Sequence, residues 1–241
     1  STLRFLIPVA AALGIHTTFF GQGRLPQRPI TAYLRELTKK GITFEYHNTM
    51  PFTIDGKLRS GVFELEGDVS SQYVTGLLFA LPLLDGDSEI RMLSKLESKP
   101  YVDLTIACLR HFGIAVQETE QGYAVAGGQQ YHACDLTVEG DYSQAAFFCV
   151  ANALGSDITL TNLNPESVQG DKKIVEIVRE MCYNREQGLP AGFTVDAADI
   201  PDLVPILAVL ATFGTAPSSI TGAHRLAIKE SDRLASTADL L

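Results

Sequence analysis

No two cysteines in this chain show the C-x-x-C spacing, and its five histidines are scattered without metal-ligand spacing. Cys108, Cys134, Cys149 and Cys182 therefore exclude a zinc or dithiol redox motif, and reduced, mostly buried thiols are expected. His16, His47, His111 and His132 read as structural, and no metal site is expected. Long apolar runs are missing too: none reaches the ~18 residues of a membrane span. The apolar start "STLRFLIPVAAALG" lacks the basic stretch and cleavage pattern of a secretory signal. No membrane partner is expected, and the location implied is cytoplasmic. Basic excess is absent as well. Lys and Arg number 19 against 28 Asp and Glu, a net charge of −9. That argues against nucleic acid as a partner. It does not exclude small anions, because a few converging Arg and Lys can oppose the global charge locally.

What the chain does contain is repetition. Its 241 residues, 46% of them apolar, suffice for one large domain or two small ones. Four segments share one plan: "STLRFLIPVAAALGIHTTFFG", "SSQYVTGLLFALPLLDGDSEIRM", "YSQAAFFCVANALGSDITLTNL" and "IPDLVPILAVLATFGTAPSSIT". Each opens on a polar or acidic residue suited to a helix start, runs on through an almost wholly apolar helix, meets a Gly, and ends in a strand-like run. A helix that is apolar all round is expected to be buried all round. A second unit alternates with the first. "YLRELTKKGITFEYHNTMPFTIDG" reads as an amphipathic helix, a Gly and two strands. "YVDLTIACLRHFGIAVQETEQGYAVAG" repeats it, and "IVEIVREMCYNREQGLPAGFTVDAAD" repeats it with a longer middle. The expected fold is α/β, with buried helices inside and sheets outside, on a period of roughly 70 residues. "VEGDYSQ" repeats "LEGDVSSQ" and marks a crossover, giving expected regions 1–138 and 139–241.

Four clusters could carry chemistry. "GQGRLPQRPI" puts Arg24 and Arg28 in a Gly/Pro loop. "GDVSSQ" puts Ser70, Ser71 and Gln72 at a helix start. "ESKPYVD" puts Ser98, Lys99 and Tyr101 before another helix. "KESDR" supplies Lys229, Glu230 and Arg233, with Asp202 upstream in "IPDLVP". Free N–H groups at helix starts favour phosphate or carboxylate, and Arg forks suit the same groups. Each residue also has a plain reading. Ser70 or Ser71 can be an N-cap, Arg28 can pair with an acid, and Asp202 can cap its helix. Glu230 and Asp232 can simply complement a helix dipole in a first turn. Together the clusters describe an anion site with one or two carboxylates available for proton transfer.

These motifs, with "STLRFL", "EGDYSQAAFF" and "IKESDRL", occur end to end in the order of one family. The chain resembles the 5-enolpyruvylshikimate-3-phosphate synthases. The resemblance implies a two-lobed inside-out α/β barrel, with 1–138 most of the shikimate-phosphate lobe and 139–241 part of the other. It implies a transferase of the shikimate pathway of aromatic amino acid and chorismate biosynthesis. Such an enzyme moves the enolpyruvyl group of phosphoenolpyruvate to the 5-hydroxyl of shikimate 3-phosphate and releases phosphate. It needs no cofactor, and the parent protein is expected to be monomeric. Residue by residue, Ser70, Ser71, Gln72, Ser98 and Tyr101 resemble contacts to shikimate 3-phosphate. Arg24 and Arg233 resemble anchors for phosphoenolpyruvate. Asp202 resembles the base for the 5-hydroxyl proton, Lys229 its cationic neighbour, and Glu230 the donor to the methylene carbon. Arg4 matches a substrate-site arginine of the motif.

The chain is shorter than the family's pattern, which implies a fragment lacking both ends and poorly active alone. Two other readings stay open. A non-catalytic repeat scaffold would have no use for "KESDR", "SSQ" and Asp202 together. Enolpyruvyl transfer to a nucleotide sugar is disfavoured by the same motifs.

Overall fold

In the computed structural model, which describes residues 1–229 and 231–241, the segment "SSQYVTGLLFA" forms a helix with almost no free surface. Eight residues of α3 (Ser71–Ala80) are buried, so the all-apolar pattern is satisfied on every side. It packs against α1 (Thr2–Leu13) on one flank and α4 (Lys99–His111) on the other. Gly76 permits the close approach to α1: a Cβ there would overlap the Tyr33 hydroxyl and the Arg4 carbonyl. Between α3 and α4, the hydroxyls of Thr75 and Thr105 meet at 3.1 Å in the buried seam.

Two sheets lie against these helices. Strands β1 (Thr17–Phe19), β2 (Thr43–Glu45) and β3 (Phe52–Asp55) form an antiparallel sheet in the order β1-β3-β2, and α2 (Thr31–Lys39) lies between β1 and β2 in the chain. Strands β4 (Val62–Leu65), β5 (Ser88–Met92), β6 (Gln117–Thr119) and β7 (Gly122–Val125) form a second sheet in the order β4-β5-β7-β6. Here β4 and β5 run parallel, with Leu65 opposite Met92. Alternation works as the period-2 pattern requires. Phe52 and Ile54, Phe63 and Leu65, Ile90, Tyr123 and Val125 turn into the same core as Ile7, Leu77 and Leu109 of the helices. Helices inside and sheets outside is thus the arrangement of this first compact unit, Ser1–Leu136.

The second unit, Thr137–Leu241, has its own core. Helix α5 (Tyr142–Ala153) packs on α6 (Lys173–Glu186) and α7 (Val204–Thr212). Strands β8 (Thr194–Asp196) and β9 (Ser219–Thr221) pair in parallel, and α8 (Arg233–Leu240) follows.

Several expectations fail in instructive ways. "SDITLTNL" is not a strand. It meets residues 138–140 through one backbone bond, Gly140 N–H to the Asn162 carbonyl (2.7 Å), and one side-chain bond, Asn162 Nδ2 to the Val138 carbonyl (2.9 Å). The Asn152 side chain brackets Ile158 from the other end, donating to its carbonyl and accepting from its N–H at 2.8 Å each. Asparagine amides replace ladder bonds, and Asn162 itself sits at φ 62°, outside strand geometry. The third amphipathic unit yields one strand, β8, where two were expected, because the longer middle runs as a loop from Gln187 to Phe193. Not every apolar helix is covered all round. Leu6 and Leu13 of α1, and Phe147 and Phe148 of α5, are about half exposed, since neighbours occupy only part of each helix circumference. The cysteines are free; Cys134 is exposed and the other three are only partly buried, on the flanks of their helices. Among the described residues no helix is long and apolar enough to cross a membrane.

Candidate functional site

Parallel pairing of β4 and β5 sends both chains out at the same end of the sheet, and each chain then starts a helix. The two exits are stitched together. Leu93 N–H donates to the Leu65 carbonyl (2.9 Å) and Glu97 N–H to the Gly67 carbonyl (3.1 Å). Gly67 N–H donates to Ser94 Oγ (2.9 Å), whose hydroxyl donates to Asp68 (2.8 Å). At Gly67 any Cβ would sit 2.6 Å from the Lys95 carbonyl oxygen, so only glycine lets the two loops touch. The result places the starts of α3 and α4 side by side. Ser70, Ser71 and Gln72 therefore come to the same end of the unit as Ser98 and Tyr101. Two helix starts thus lie at one end of the unit, and a helix start is an end that favours an anion.

Ser70 is the N-cap of α3, its Oγ accepting from Gln72 N–H at 3.3 Å. Ser98, buried, holds the N-cap position of α4 in the left-handed region (φ 57°). That conformation is rare for a residue with a Cβ and clusters at functional sites. Tyr101 N–H donates to the Ser98 carbonyl (3.1 Å), and the Tyr101 carbonyl accepts from the Thr105 hydroxyl (2.8 Å). Lys99 reaches Asp103 (2.7 Å) and Glu118 (3.3 Å), so its charge is partnered on the helix flank.

Arg4 is the hub of the cluster. It is 6% exposed, yet its guanidinium joins α1 to both the start of α3 and the loop at Pro29. One nitrogen donates to Gln72 Oε1 (3.0 Å) and Ser70 Oγ (3.3 Å), the other to the Pro29 carbonyl (3.0 Å). Its plane lies 4.8 Å from the centroid of the Tyr73 ring. Tyr73 in turn donates its hydroxyl to the same Pro29 carbonyl. Tyr33 stands edge-on to Tyr73, centroids 4.8 Å apart, with its hydroxyl 2.8 Å from the Arg4 carbonyl and 3.0 Å from that of Tyr73. Burial raises both phenols above their ordinary range, Tyr33 well above it, so both remain donors at neutral pH. Arg24 lies in the loop that ends at Pro29, exposed, at the start of a short 3₁₀ turn (Leu25–Gln27). Tyr33, Tyr73 and the Pro29 carbonyl escaped the sequence reading. No local spacing signals them, because their partners lie 25 to 44 residues away in the chain.

The second unit uses the same construction. With β8 and β9 parallel, Asp196 lies opposite Thr221 and the two chains leave at one end. After β8 comes a 3₁₀ turn, Pro201–Leu203, that carries Asp202; after β9 comes another, His224–Ile228, and then Lys229. Arg225, buried, ties the two exits by donating to the Ala198 carbonyl (2.9 Å). Arg233 Nη1 donates to Asp202 Oδ1 at 2.6 Å. This bond brings together two of the expected site residues, 31 positions apart in the chain. The "KESDR" helix also begins later than the first-turn reading implied. Its N-cap is Asp232, accepting from Leu234 N–H (3.1 Å) and Ala235 N–H (3.0 Å), with Arg233 the first helical residue. Asp232 was expected inside the first turn, as a complement to the helix dipole, and instead caps the helix from one position before it. Glu230, the expected proton donor, lies outside the described residues.

The repeat also shows why one "GD…SQ" start suits an external anion and the other does not. On α3 the cap is a neutral serine with Arg4 beside it. On α5 it is Asp141, whose carboxylate already accepts from Ser143 N–H (2.8 Å) and the Ser143 hydroxyl (2.9 Å). A fixed negative charge occupies the place an anion would take. Among the described residues no cluster of His, Cys, Asp or Glu could hold a metal ion.

Comparison with known proteins agrees with this construction. A 3-phosphoshikimate 1-carboxyvinyltransferase of Clostridium kluyveri is 46% identical over 97% of the chain and 58% of its own length. That of Clostridium novyi is 44% identical over 97% and 56%. The chain therefore spans a little over half the length of these relatives. Among solved structures, an EPSP synthase of Acinetobacter baumannii superposes with a TM-score of 0.74 over 99% of this chain and 58% of that one, at 22% identity. The enolpyruvyl transferase NikO of Streptomyces tendae superposes with 0.58 over 86% and 53%, at 16% identity. These two show the α/β fold alone. The family model described as EPSP synthase (3-phosphoshikimate 1-carboxyvinyltransferase) matches residues 1–241, and the chain belongs to that family.

Proposed function

We propose that this chain carries part of the site that transfers the enolpyruvyl group of phosphoenolpyruvate to the 5-hydroxyl of shikimate 3-phosphate, with release of phosphate. The observation that carries the reading is the Arg4–Ser70–Gln72 cluster at the start of α3, with the start of α4 beside it. Residues 1–138 then form most of the lobe that receives shikimate 3-phosphate, and 139–241 part of the second lobe. Ser70, Ser71 and Ser98 hold the phosphate through hydroxyls and helix-start N–H groups. Gln72 and Tyr101 orient the ring. Arg24 and Arg233 supply the forks that the carboxylate and phosphate of phosphoenolpyruvate demand.

The addition step needs two proton transfers. Protonation of the methylene carbon of phosphoenolpyruvate builds positive charge on the adjacent carbon, which the 5-hydroxyl attacks. Asp202 accepts the hydroxyl proton, with the Arg233 guanidinium bonded to it at 2.6 Å. In this reading Glu230 donates to the carbon and Lys229 stabilises the acceptor side. The tetrahedral adduct then expels phosphate while its new methyl group gives up a proton, which restores the carbon–carbon double bond, and the charge on the leaving phosphate is met by preorganised donors.

Isothermal titration of the chain with shikimate 3-phosphate, with and without phosphoenolpyruvate, tests the reading. Measurable binding that weakens in Gln72→Ala is expected. A folded chain that binds no shikimate 3-phosphate at millimolar ligand overturns it.

A further inference from the structure

Tyr73 lies where nothing in the proposed chemistry calls for a tyrosine. It follows Gln72 on α3, is 1% exposed, and touches the site only through other groups. Those groups are two arms of the site. Its ring face supports the Arg4 guanidinium at 4.8 Å, and that guanidinium holds Ser70 and Gln72. Its hydroxyl donates to the carbonyl of Pro29, where the loop bearing Arg24 ends. A phenylalanine would keep the first contact and lose the second; an aliphatic residue would lose both.

Resting on the substrate reading above, we propose that Tyr73 is a positioning residue with two separable parts. The ring sets Arg4 for the shikimate-phosphate side, and the hydroxyl sets the Arg24 loop for the phosphoenolpyruvate side. Because both parts reside in one rigid side chain with two torsions, the two anion sites are held in a fixed register. The loop needs such a tie. Gly21 and Gly23 precede Arg24, and Gln22, Gly23 and Arg24 are exposed. The nearest ordered element after the loop is α2, which starts at Thr31. The Pro29 carbonyl accepts from Tyr73 and from Arg4, so the loop is held to α3 and α1 through one oxygen.

Tyr33 supplies the control. It is as buried as Tyr73 and donates within the same cluster, but it reaches neither the guanidinium nor Pro29. Three variants separate the parts: Tyr73→Phe, Tyr73→Leu and Tyr33→Phe. Loop fixation is read by the rate of tryptic cleavage at Arg24–Leu25, followed by mass spectrometry; Arg28–Pro29 is a poor trypsin bond. Cleavage is expected to rise about fivefold in Tyr73→Phe and Tyr73→Leu, the size set by one lost hydrogen bond in a local opening, and to stay at the wild-type rate in Tyr33→Phe. Ring support is read by the Arg4 Nε–H resonance, shifted upfield over the aromatic face in wild type and Tyr73→Phe and not in Tyr73→Leu. Affinity for shikimate 3-phosphate should stay within about twofold in Tyr73→Phe and fall about tenfold in Tyr73→Leu.

A merely structural tyrosine would instead lower both readouts together, in step with melting temperature and alike for Tyr33→Phe. Tyr73→Phe cleaved at the wild-type rate overturns the hydroxyl's part. Tyr73→Phe losing the upfield shift, or losing affinity as far as Tyr73→Leu does, overturns the division between ring and hydroxyl. If the wild-type chain fails to bind shikimate 3-phosphate, the substrate reading falls, while cleavage and the Arg4 resonance still decide both parts.

Discussion

Replacing Arg4 by methionine removes the hub of the cluster while keeping most of its volume. Taken singly, hydrogen bonds from a charged donor contribute about 1.5–3 kcal/mol each, and the cation–π contact about 1 kcal/mol more. The three bonds and the ring contact would then sum to roughly 5.5–10 kcal/mol. The structure says the net loss is smaller. Gln72 and Ser70 are only partly buried, so water can reach their freed acceptors. Pro29 keeps the Tyr73 hydroxyl as donor. Removing a guanidinium that is 6% exposed also recovers its desolvation cost. A net loss of about 2–3 kcal/mol remains, or about 10 °C in the melting temperature of a unit this size. Near-ultraviolet circular dichroism can follow it, because the chain has no tryptophan and the buried edge-on pair Tyr33 and Tyr73 contributes to that signal. A double-mutant cycle with Gln72→Leu should give a coupling of about 1–2 kcal/mol, since the two side chains are bonded at 3.0 Å. Affinity for shikimate 3-phosphate should fall at least tenfold. A melting temperature within 2 °C of wild type, together with additive effects of the two substitutions, would refute the hub.

Gly76→Ala should cost about 3 kcal/mol, read as a lowered urea midpoint with unchanged slope, because its Cβ collides with backbone of α1 that cannot rotate away. Glu36 is 1% exposed. Burial alone would raise its carboxyl, but the Glu64 N–H (2.9 Å), Lys39 (2.8 Å) and Arg35 (2.8 Å) together hold it below its ordinary value. A depressed folded-state value gives stability that is present above the unfolded value, about 4.3, and is lost as pH falls through the folded one. Thermal melts between pH 5 and 2.5 should therefore show a steeper acid loss in wild type than in Glu36→Gln; parallel curves would remove Glu36 from the account. In the Clostridium kluyveri relative, Asp→Asn at the position matching Asp202 should lower kcat at least 100-fold with little change in substrate affinity, and an unchanged kcat would strike that residue from the catalytic roles.

Much of this protein was legible without coordinates, for a physical reason. Most of its helices and strands are encoded by a local pattern: apolar runs for α1, α3 and α5, and period-2 alternation for β2 and β3. The duplicated "GD…SQ" start and the order of motifs named the family, because helix starts and anion chemistry both depend on residues adjacent in the chain. What local pattern could not supply was partnership. Whether "SDITLTNL" is a strand depends on a ladder neighbour, and only two bonds to residues 138–140 were found. Whether α5 is buried all round depends on how many elements reach it, which left Phe147 and Phe148 half exposed.

The site divides in the same way. Sequence alone identified Ser70, Gln72, Arg24 and Asp202 as candidates, since each sits in a short polar motif between apolar runs. Tertiary structure decided that Arg233 meets Asp202, 31 positions away in the chain. It also decided that Arg4 joins three elements through Tyr73 and Pro29. Hydrogen bonds and ring contacts reach only a few ångströms, and a chain folded through parallel strand pairs brings residues within that reach that are dozens of positions apart in sequence. The motif carries the chemistry of each residue, and the parallel exits of β4 with β5 and of β8 with β9 determine which residues meet.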